Sequence, residues 1–410
     1  MDAVSTLELY ELLWKMIEDR YGTDSPKLSP LCRRLRNQTL WTILHMTYNG
    51  VALDKKKLQA IHEKESKISK RIFEWTKRKH DLKLQGTGSA TAKLKIITDS
   101  LGDDLIASSQ VTLTPKTKEL STGKGNLNLI LKKRPKGHEL RVLPRLMQGL
   151  SDHSHTVTSF TAPLLTNPHK GILPGNNIAY PAWYAVPQHR SIEANDKVGG
   201  TIQGRITAQR PGVQTFPSVI KRCYTSRWRE GCLLHADMSQ IELRMAALLS
   251  GDPRMMNEYV QGIDRHTRTA LSCFPELTGE EPNFKSYWRQ AGKQLNFLMI
   301  YRGGPKIFQE TLRTNYNIEM DLKTCRKVVE ATKDMYPEFN KWQEALIAQA
   351  VKDQYLEVIT GWSRTFAGAK HSIEATYSNE ICNFPIQCLA AQLMLSAQYA
   401  ILMSFHDKRL

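Results

Sequence analysis

Apolar residues recur at three- to four-residue spacing along most of the chain, and this pattern predicts a mainly α-helical protein. Helices are predicted over residues 1–22, 35–46 and 55–79, through most of 253–350, and from Leu389 to about Asp407. The dipeptide Asn49-Gly50 is a turn signal that separates the second of these helices from the third.

Three segments depart from the helical spacing. Residues 232–236 predict a short apolar strand before a helix that starts near Ile241, and residues 355–366 predict a β-hairpin. Segment 85–140 is rich in Gly, Ser, Thr and Lys and has few apolar residues. It is therefore predicted to be exposed and loop-rich, with short helices at most.

The charge of the chain indicates a polyanionic partner. Lysine and arginine number 57 against 40 aspartates and glutamates, a formal net charge of +17 with histidine neutral. Apolar residues make up 41% of the chain, which is too high for a disordered basic tail, so the positive charge is expected on folded domains. No G-x-x-x-x-G-K-[ST] motif occurs, which excludes a P-loop nucleotide hydrolase.

Neither a secretory signal nor a membrane span is expected. The first residues mix acidic side chains into a helical pattern, and no run of about 18 consecutive apolar residues occurs. The seven cysteines are scattered without metal-binding spacing. They favour reduced, mostly buried thiols in a cytoplasmic compartment.

An aspartate at the end of the predicted strand is the first candidate for chemistry. Asp237 would project its carboxylate from a sheet edge, and the carbonyl oxygen of Met238 would add a second hard ligand for a divalent metal. The same spacing also fits a helix N-cap, with Gln240 completing a capping box. Both interpretations stay open on spacing alone.

A second candidate is a set of four residues spaced by four. Arg289, Lys293, Phe297 and Tyr301 drift only about 40° per step around a helix, so they share one face. A triphosphate beside the two cations would bring its sugar and base to the two rings. The alternative is a solvated basic helix end whose aromatic residues lie in a core, and it is the better interpretation for any one residue taken alone.

These motifs carry a family resemblance. Asp237-Met-Ser-Gln-Ile-Glu-Leu-Arg244 resembles the first palm motif (motif A) of the A-family DNA polymerases, and residues 289–301 resemble their fingers helix (motif B). The sequence thus looks like bacterial DNA polymerase I and its phage relatives. Further segments are similar in the family's order, namely 49–54, 114–122, 201–207, 211–217, 262–270, 360–364 and 383–387.

The resemblance implies an α+β right-hand polymerase fold with a helical thumb, an antiparallel-sheet palm and helical fingers. It also implies a location in the cytoplasm of a bacterium or a phage-infected host. The expected divisions are 1–25, a remnant of the last exonuclease-domain helix; 26–54, leading into the palm; 55–165, thumb; 166–252, palm with motif A; 253–370, fingers with motif B; and 371–410, the palm helix before motif C.

The implied activity is template-directed addition of deoxynucleotides to a primer end in DNA replication, by two-metal phosphoryl transfer with two Mg²⁺ ions. Asp237 and Met238 would hold the metal, and Arg289, Lys293 and His266 would neutralise the triphosphate of the dNTP. Catalysis is thereby assigned to Asp237, Lys293 and Arg289. Phe297 would pack on the sugar, Tyr301 beside the new base pair, and Glu242 where a ribose 2′-hydroxyl would go.

The resemblance also implies DNA contacts. Primer-template or the minor-groove side of the new pair would be contacted by Gln240, Arg205, Gln214, Asn383 and Gln387. Phosphates would be contacted by thumb lysines, for which a merely solvated loop is the open alternative: Lys116, Lys118, Lys124, Lys132 and Lys133.

Three positions depart from the family pattern. Asn379 stands where an arginine is usual, and Arg302 and Cys388 each stand where a glycine is usual. These changes affect the expected geometry around template and primer, but not the expected fold.

The carboxylate that the family takes from its His-Asp-Glu turn (motif C) has no clear match. His406-Asp407-Lys408 comes too soon after Gln387 and follows an unbroken helical pattern, so it is predicted to be the polar end of a helix. Exonuclease motifs are also missing, which predicts no proofreading by this chain alone. The resulting hypothesis is the middle part of a polymerase, from a split or interrupted gene or a partial reading frame, with motif C beyond Leu410. In a split polymerase, a second polypeptide would supply motif C.

Two other functions remain open. A non-catalytic primer-template binding subunit of a split polymerase would be basic and folded but would lack a full metal site. A single-subunit RNA polymerase shares the palm chemistry, but Glu242 and the pair Phe297 and Tyr301 argue against it.

Overall fold

The computed structural model describes Lys15 and residues 30–407, apart from 86–88, 108–110, 112, 115–118, 135–136, 168–170, 173–175, 186–200 and 317. The helix predicted over 1–22 therefore lies outside the described residues, as do Lys116 and Lys118. The chain divides into two compact units. Unit A comprises Asn49–Ala182 and Ala208–Leu234, and unit B comprises Met1–Tyr48, Trp183–Thr207 and His235–Leu410.

The described helices and strands follow in chain order. They are α1 Pro30–Asn49, β1 Val51–Ala52, α2 Lys55–His80, α3 Ser89–Ile106, α4 Lys124–Lys133, α5 Val142–His155, α6 Ala162–Thr166, β2 Ile178–Ala179, β3 Ala182–Tyr184, β4 Thr207–Gln209, α7 Ser218–Lys221, α8 Ile241–Ser250, α9 Pro253–Val260, α10 Arg265–Cys273, α11 Arg289–Ile300, α12 Pro305–Tyr316, α13 Leu322–Met335, α14 Pro337–Asp353, β5 Tyr355–Glu357, β6 Ser363–Thr365 and α15 Lys370–Asp407. Single turns of 3₁₀-helix lie at Glu139–Arg141 and Val213–Thr215, and π-helical turns at Thr156–Thr161 and Phe284–Trp288.

Unit A is built on the long basic helix α2. Asp54 caps its first turn, because the carboxylate accepts a hydrogen bond from the Lys57 backbone N–H at 3.0 Å. Helix α5 packs along α2, and an ion pair between His153 and Glu65 joins the two. Strands β1 and β2 pair antiparallel at the base of α2, with Val51 opposite Ala179. The helix and the turn before it follow the prediction.

The prediction for segment 85–140 is wrong. The described residues of the segment form helix α3, which spans 18 residues with a kink at Gly102, and the 10-residue helix α4. Its apolar residues are few, but they are concentrated where the helices pack. They build the core of unit A together with α5, namely Ile96, Ile97, Leu101, Leu127, Leu129, Ile130, Met147 and Leu150. Polar residues of α3 such as Lys95, Thr98 and Asp99 lie on its solvent side.

Unit B is helical around two cores. One core fills the space among α8–α14, and its largest fully buried side chains are Tyr336, Phe308 and Phe339. The other joins α14 and α15 to the hairpin of β5 and β6, which pair antiparallel with Leu356 opposite Arg364. The hairpin predicted over residues 355–366 is therefore confirmed.

Helix α15 begins well before the predicted start at Leu389. Its first half is core, with Ile381, Cys382 and Phe384 fully buried, whereas Leu393, Ile401 and Phe405 in its second half are exposed. Over Lys370–Phe405 the helix is long and apolar enough to cross a membrane by length and composition alone, although the sequence has no long unbroken apolar run. Core helices of soluble proteins meet the same criterion, so this is weak support for a membrane span.

Residues 232–236 do not form the predicted strand. They lack regular structure, and Leu233 and Leu234 are 57% and 88% exposed. A strand needs a neighbour to satisfy its backbone hydrogen bonds, and none of the described strands pairs with this segment. An apolar run alone therefore does not form a strand here, because no described strand lies beside it.

Helices α10 and α11 of unit B pack closely against each other at Gly292. A Cβ atom at this position would overlap the carbonyl oxygen of His266 and come within 2.9 Å of the Ala270 backbone nitrogen. Both obstacles are backbone atoms, so no side-chain rotation can relieve them. Glycine is required here because the two helices touch backbone to backbone.

We expect Gly292→Ala to lower the free energy of unfolding by about 2–3 kcal/mol, since overpacking outweighs the gain of about 1 kcal/mol in helix propensity. Gly304→Ala is the matched control, because nothing lies within 4 Å of a Cβ there. It should change stability by less than about 0.5 kcal/mol. Urea unfolding of the three proteins measures the difference, and equal effects of the two substitutions would contradict the close contact.

Candidate functional site

The first half of the predicted binding face lies where α11 meets α10. Arg289 pairs with Asp264, with 2.7 Å between Nε and Oδ2 and 3.3 Å between Nη2 and Oδ1. Asp264 in turn caps α10, accepting the His266 backbone N–H at 3.2 Å and the Thr267 hydroxyl at 2.7 Å. One carboxylate therefore fixes both the start of α10 and the first cation of α11.

His266 lies on the first turn of α10, buried beneath the same face. Its ring centroid is 6.3 Å from that of Phe297, and the Asn296 amide nitrogen is 3.4 Å from its Nδ1. Burial lowers the pKa of His266 to about 4, and the nearby cations Arg289 and Lys293 act in the same direction. The structure thus brings His266, Arg289, Lys293 and Phe297 together, with the imidazole neutral at pH 7.

A buried ionic cluster around Arg265 stabilises α10. Arg265 is fully buried, 3.1 Å from a Glu258 carboxylate oxygen, and its guanidinium lies 4.8 Å from the centre of the Tyr336 ring. The Tyr336 hydroxyl donates to the same carboxylate at 3.0 Å. Sequence reasoning missed Arg265, because nothing in its spacing distinguishes it from an exposed arginine on a basic helix.

The second half of the face ends in a hydrogen-bonded chain around Tyr301. Its hydroxyl donates to Glu242 Oε2 at 3.1 Å and accepts a hydrogen bond from the Gln387 amide at 2.8 Å. Arg205 forms an ion pair with the other oxygen of Glu242. Burial and the Glu242 carboxylate raise the pKa of Tyr301. Four predicted site residues from distant parts of the chain therefore meet at one point.

A cavity of about 380 Å³ opens beside the aromatic residues of α11. Phe297 and Tyr301 form one wall, and Ile307 and Thr311 of α12 form another. Asn379, one of the three departures from the family pattern, also lines this space. A side chain smaller than the usual arginine thus borders the cavity next to the predicted nucleotide face.

Arg302, the second departure, takes the backbone conformation that its usual glycine would favour. Its φ is +48°, in the left-handed region. The side chain offsets this strain with an ion pair to Glu344 of α14, 2.7 Å between Nη1 and Oε1. The pair ties the end of α11, next to Tyr301, to the core helix α14. The third departure, Cys388, is fully buried in the second core of unit B.

The predicted metal ligands are less well defined. Asp237 is exposed in an irregular segment, and α8 begins only at Ile241. The capping-box alternative is wrong, because the N-cap of α8 is Gln240, which makes no capping hydrogen bond. In the described parts of the chain, no three His, Cys, Asp or Glu side chains come together as a metal site.

The DNA-contact candidates are spread over both units. In unit A, the side-chain oxygen of Gln214 accepts a hydrogen bond from the backbone N–H of Ala208 at 2.9 Å, and Lys133 is exposed at the end of α4. The side chains of Lys124 and Lys132 on α4 lie outside what the structure describes. In unit B, Asn383 is 6% exposed and donates to the Asn379 carbonyl at 2.8 Å.

The other candidates lie at the ends of helices. Gln240 accepts a hydrogen bond from the Tyr259 hydroxyl at 3.4 Å. Helix α15 includes His406 and Asp407, so these two residues are helical, as predicted. Sequence reasoning also missed Asp264 and Asn296, which hold Arg289 and His266. An aspartate one residue before a helix is a capping signal that could have found Asp264.

A family model for DNA polymerase family A matches residues 181–410, more than half of the chain. The chain therefore belongs to DNA polymerase family A. The thermostable DNA polymerase I of Thermus filiformis is 26% identical over 412 residues, covering 96% of this chain and 43% of that protein. The DNA polymerase I of Helicobacter pylori (strain ATCC 700392 / 26695) is 27% identical over 225 residues, covering 52% of this chain and 24% of that protein.

Among solved structures, the POL domain of Pol1 from M. smegmatis, in complex with DNA primer-template and dNTP, matches with a TM-score of 0.71 at 18% identity. The match covers 98% of this chain and 65% of that one. It confirms the predicted α+β polymerase fold. The chain spans less than half the length of the curated relatives named above, so their activities are not transferred with the fold.

The protonation state of His266 makes the free energy of unfolding depend on pH. The folded state holds a pKa of about 4, against about 6.5 in the unfolded chain, so folding favours the neutral ring. This contribution is complete above pH ~6.5 and is lost as the pH falls toward 4. Between pH 7 and 4.5 we expect the wild type to lose on the order of 2 kcal/mol more unfolding free energy than His266→Gln.

Urea unfolding at the two pH values measures this difference. His371→Gln, at an exposed histidine on α15, is the matched control and should follow the wild type. A His266→Gln profile parallel to the wild type would show that the buried imidazole does not titrate as described.

Proposed function

We propose that this chain acts as a template-directed DNA polymerase, adding deoxynucleotides to a primer 3′ end in DNA replication. The observation that carries the proposal is the ordered face of α11, whose two ends are held by residues from other elements. Cations lie at one end and rings at the other, in the order of a nucleoside triphosphate. Family membership and the net charge of +17 support the same function.

The chain's own residues would bind and orient the dNTP. Arg289, Lys293 and His266 would contact the triphosphate oxygens, and the two cations would also stabilise charge on the leaving pyrophosphate. Phe297 would pack on the sugar. Arg289 is already aligned by Asp264, whereas Lys293 has no ion pair among the contacts of the described residues, which leaves its ammonium free to bind phosphate.

Selection of deoxyribose would rest on Glu242. Its two carboxylate oxygens are held separately, one by Tyr301 and one by Arg205, so the side chain cannot easily move aside. A ribose 2′-hydroxyl placed there would collide with a fixed group. This arrangement favours a DNA polymerase over the alternative of a single-subunit RNA polymerase.

DNA binding would rest on primer-template contacts from both units. Gln387 and Asn383 on α15, Arg205 and Gln240 beside α8, and Gln214 in unit A are the proposed polar contacts. Lysines of unit A such as Lys133 would contact phosphates without reading sequence. The M. smegmatis neighbour was solved with primer-template and dNTP, which supports these two partners for the present fold.

A metal requirement follows from the family, and Mg²⁺ would be the ion. The carboxylate of Asp237 and the carbonyl of Met238 have the hard oxygen chemistry that suits it. Among the described residues, no group of three or more His, Cys, Asp or Glu side chains comes together to hold a metal ion, so the fit to a two-ion site is incomplete. When bound, the ions would polarise the attacking and leaving oxygens.

In the hypothesis of a split polymerase, a second polypeptide would carry the second carboxylate. The exposed apolar residues Leu233 and Leu234 precede Asp237 in a segment with strand composition but no strand partner among those described. A partner strand would cover them and order Asp237. The same observations are also consistent with a second candidate function, that of a non-catalytic primer-template binding subunit.

Nucleotide binding distinguishes these functions without requiring turnover. A fluorescent primer-template ending in a dideoxynucleotide is bound by the chain, and the matched dNTP is titrated by anisotropy. We expect Lys293→Ala to weaken dNTP binding about 10- to 100-fold, as for loss of a charge-assisted contact, without changing DNA affinity.

Lys306→Ala removes an exposed lysine on the next helix and is the matched control, with less than a twofold effect expected. A subunit that only binds DNA would show salt-sensitive binding and no response to the matched dNTP. Equal effects of Lys293→Ala and Lys306→Ala would also contradict the assignment of the α11 face.

Complementation tests the second polypeptide separately. Mixing the chain with a polypeptide that carries a His-Asp-Glu turn of this family should give primer extension at least 100-fold above either part alone. Asp237→Asn should abolish the gain while leaving dNTP binding intact. No gain on mixing would refute complementation but would leave the nucleotide-binding result standing.

A further inference from the structure

Asn296 lies on α11, one residue before Phe297 of the proposed nucleotide face, and it is fully buried. Its amide nitrogen donates to the Gly292 carbonyl oxygen on its own helix at 2.9 Å. The same nitrogen donates to the Thr269 hydroxyl oxygen of α10 at 2.9 Å and lies 3.4 Å from Nδ1 of His266. This amide is therefore a polar contact from α11 to the imidazole of His266.

The orientation of the Asn296 amide follows from the groups around it. A carbonyl oxygen can only accept a hydrogen bond, so the Gly292 carbonyl has to face the amide nitrogen. Turning the amide over would place its oxygen 2.9 Å from that carbonyl oxygen. The amide oxygen is buried without a partner, so either orientation leaves one amide atom unpaired, but only the turned one adds repulsion between two oxygens.

The amide nitrogen decides which ring nitrogen of His266 carries the proton. An amide N–H can only donate, so Nδ1 has to accept and carries no proton. In the neutral ring the proton is then on Nε2. Burial lowers the pKa of His266 to about 4, which keeps the ring neutral at pH 7 in the free protein.

The second ring nitrogen of His266 is left for a ligand. Nε2 makes no hydrogen bond with the described residues, and it is not one of their buried polar atoms without a partner. The small exposed part of this side chain, 5%, therefore includes Nε2. A donor fixed at this atom is accessible from outside the helix contact, on the ring that lies beside Phe297.

We propose that Asn296 is a positioning residue that holds His266 in the Nε2–H tautomer, so that the imidazole donates a hydrogen bond to a triphosphate oxygen. The ligand in this inference rests on the proposed function, whereas the tautomer is a property of the free protein. The opposite tautomer would turn the lone pair of Nε2 toward the anion, and the two would repel each other. Arg289 and Lys293 supply charge to the same anion, and His266 adds a directional donor.

Nitrogen NMR of the full chain reads the tautomer directly. The histidine rings, twelve in the chain, are labelled with ¹⁵N, and His266→Gln identifies the signals of that residue. A ring nitrogen that carries a proton resonates far upfield of one that carries only a lone pair. At pH 7 we expect Nδ1 of His266 in the unprotonated range and Nε2 in the protonated range. The reverse assignment would overturn the proposal.

Asn296→Asp separates control of the tautomer from a purely structural role, because its carboxylate accepts where the amide donates. Nδ1 should then gain a proton, and its signal should move into the protonated range at pH 7. Thr269→Val is the matched control, since it removes a fully buried partner of the same amide but leaves the donor for Nδ1. It should leave both His266 signals in their wild-type ranges.

Circular dichroism checks that the variants fold. If Asn296→Asp does not fold, Asn296→Leu carries the test, because it removes the donor at similar size. The two ring signals of His266 should then move toward each other as both tautomers become populated. Unchanged His266 signals in the folded variant, or equal changes in Thr269→Val, would refute the role of Asn296.

The ligand is tested on the complex with a dideoxy-terminated primer-template. The matched dNTP should shift the Nε2 proton signal of His266 saturably, at the concentrations that give the anisotropy change. Nucleotide binding that leaves this signal in place would refute the contact between His266 and the triphosphate. No nucleotide binding at all would contradict the proposed function, while the Nδ1 signals of the free proteins would still decide the role of Asn296.

Discussion

The backbone contact between α10 and α11 at Gly292 is the constraint on which the candidate site depends. A separation larger by one methyl group would move Arg289 away from Asp264 and Phe297 away from His266. Because a helix is stiff along its length, the same shift would carry Tyr301 away from Glu242. One absent Cβ atom thus sets the geometry of residues that lie three helical turns apart.

The two ends of α11 are fixed by different physical means. At its start, the exposed side of the helix is held by the ion pair of Arg289 with a carboxylate that already caps another helix. At its end, Gln343 is 4% exposed and donates to the carbonyls of Met299 and Ile300 at 3.2 Å each, satisfying groups that a helix end leaves unpaired. Arg302 adds an ion pair to Glu344 beyond the last turn. The binding face therefore lies on a helix held at both ends, as precise positioning of a substrate requires.

The sequence predicted the parts of the structure that follow from local periodicity. The face of α11, the long helix α2 and the hairpin around Gly361 each depend on residues close in sequence, and each is observed. The features that the sequence did not predict depend on contacts between residues that are distant in sequence. The loop prediction for segment 85–140 fails because its helices are stabilised by packing on α5. The ion pair of Asp264 with Arg289 joins residues that are 25 positions apart in the sequence. Spacing can put residues on one face, but only the fold shows what touches that face.

Residues 232–236 do not form the predicted strand, and this explains why the proposed metal ligands are the least well positioned part of the candidate site. A carboxylate that serves catalysis has to be held to within about half an ångström, and a strand holds it through backbone hydrogen bonds on both sides. Here Leu234 is 88% exposed, and Asp237 three residues later is exposed in irregular chain. The residues proposed to bind the triphosphate, by contrast, all lie on the helices α10 and α11. A neighbouring strand that covers Leu234 would lower apolar exposure and order Asp237 in the same step, so pairing of this segment and positioning of the Asp237 carboxylate would be coupled.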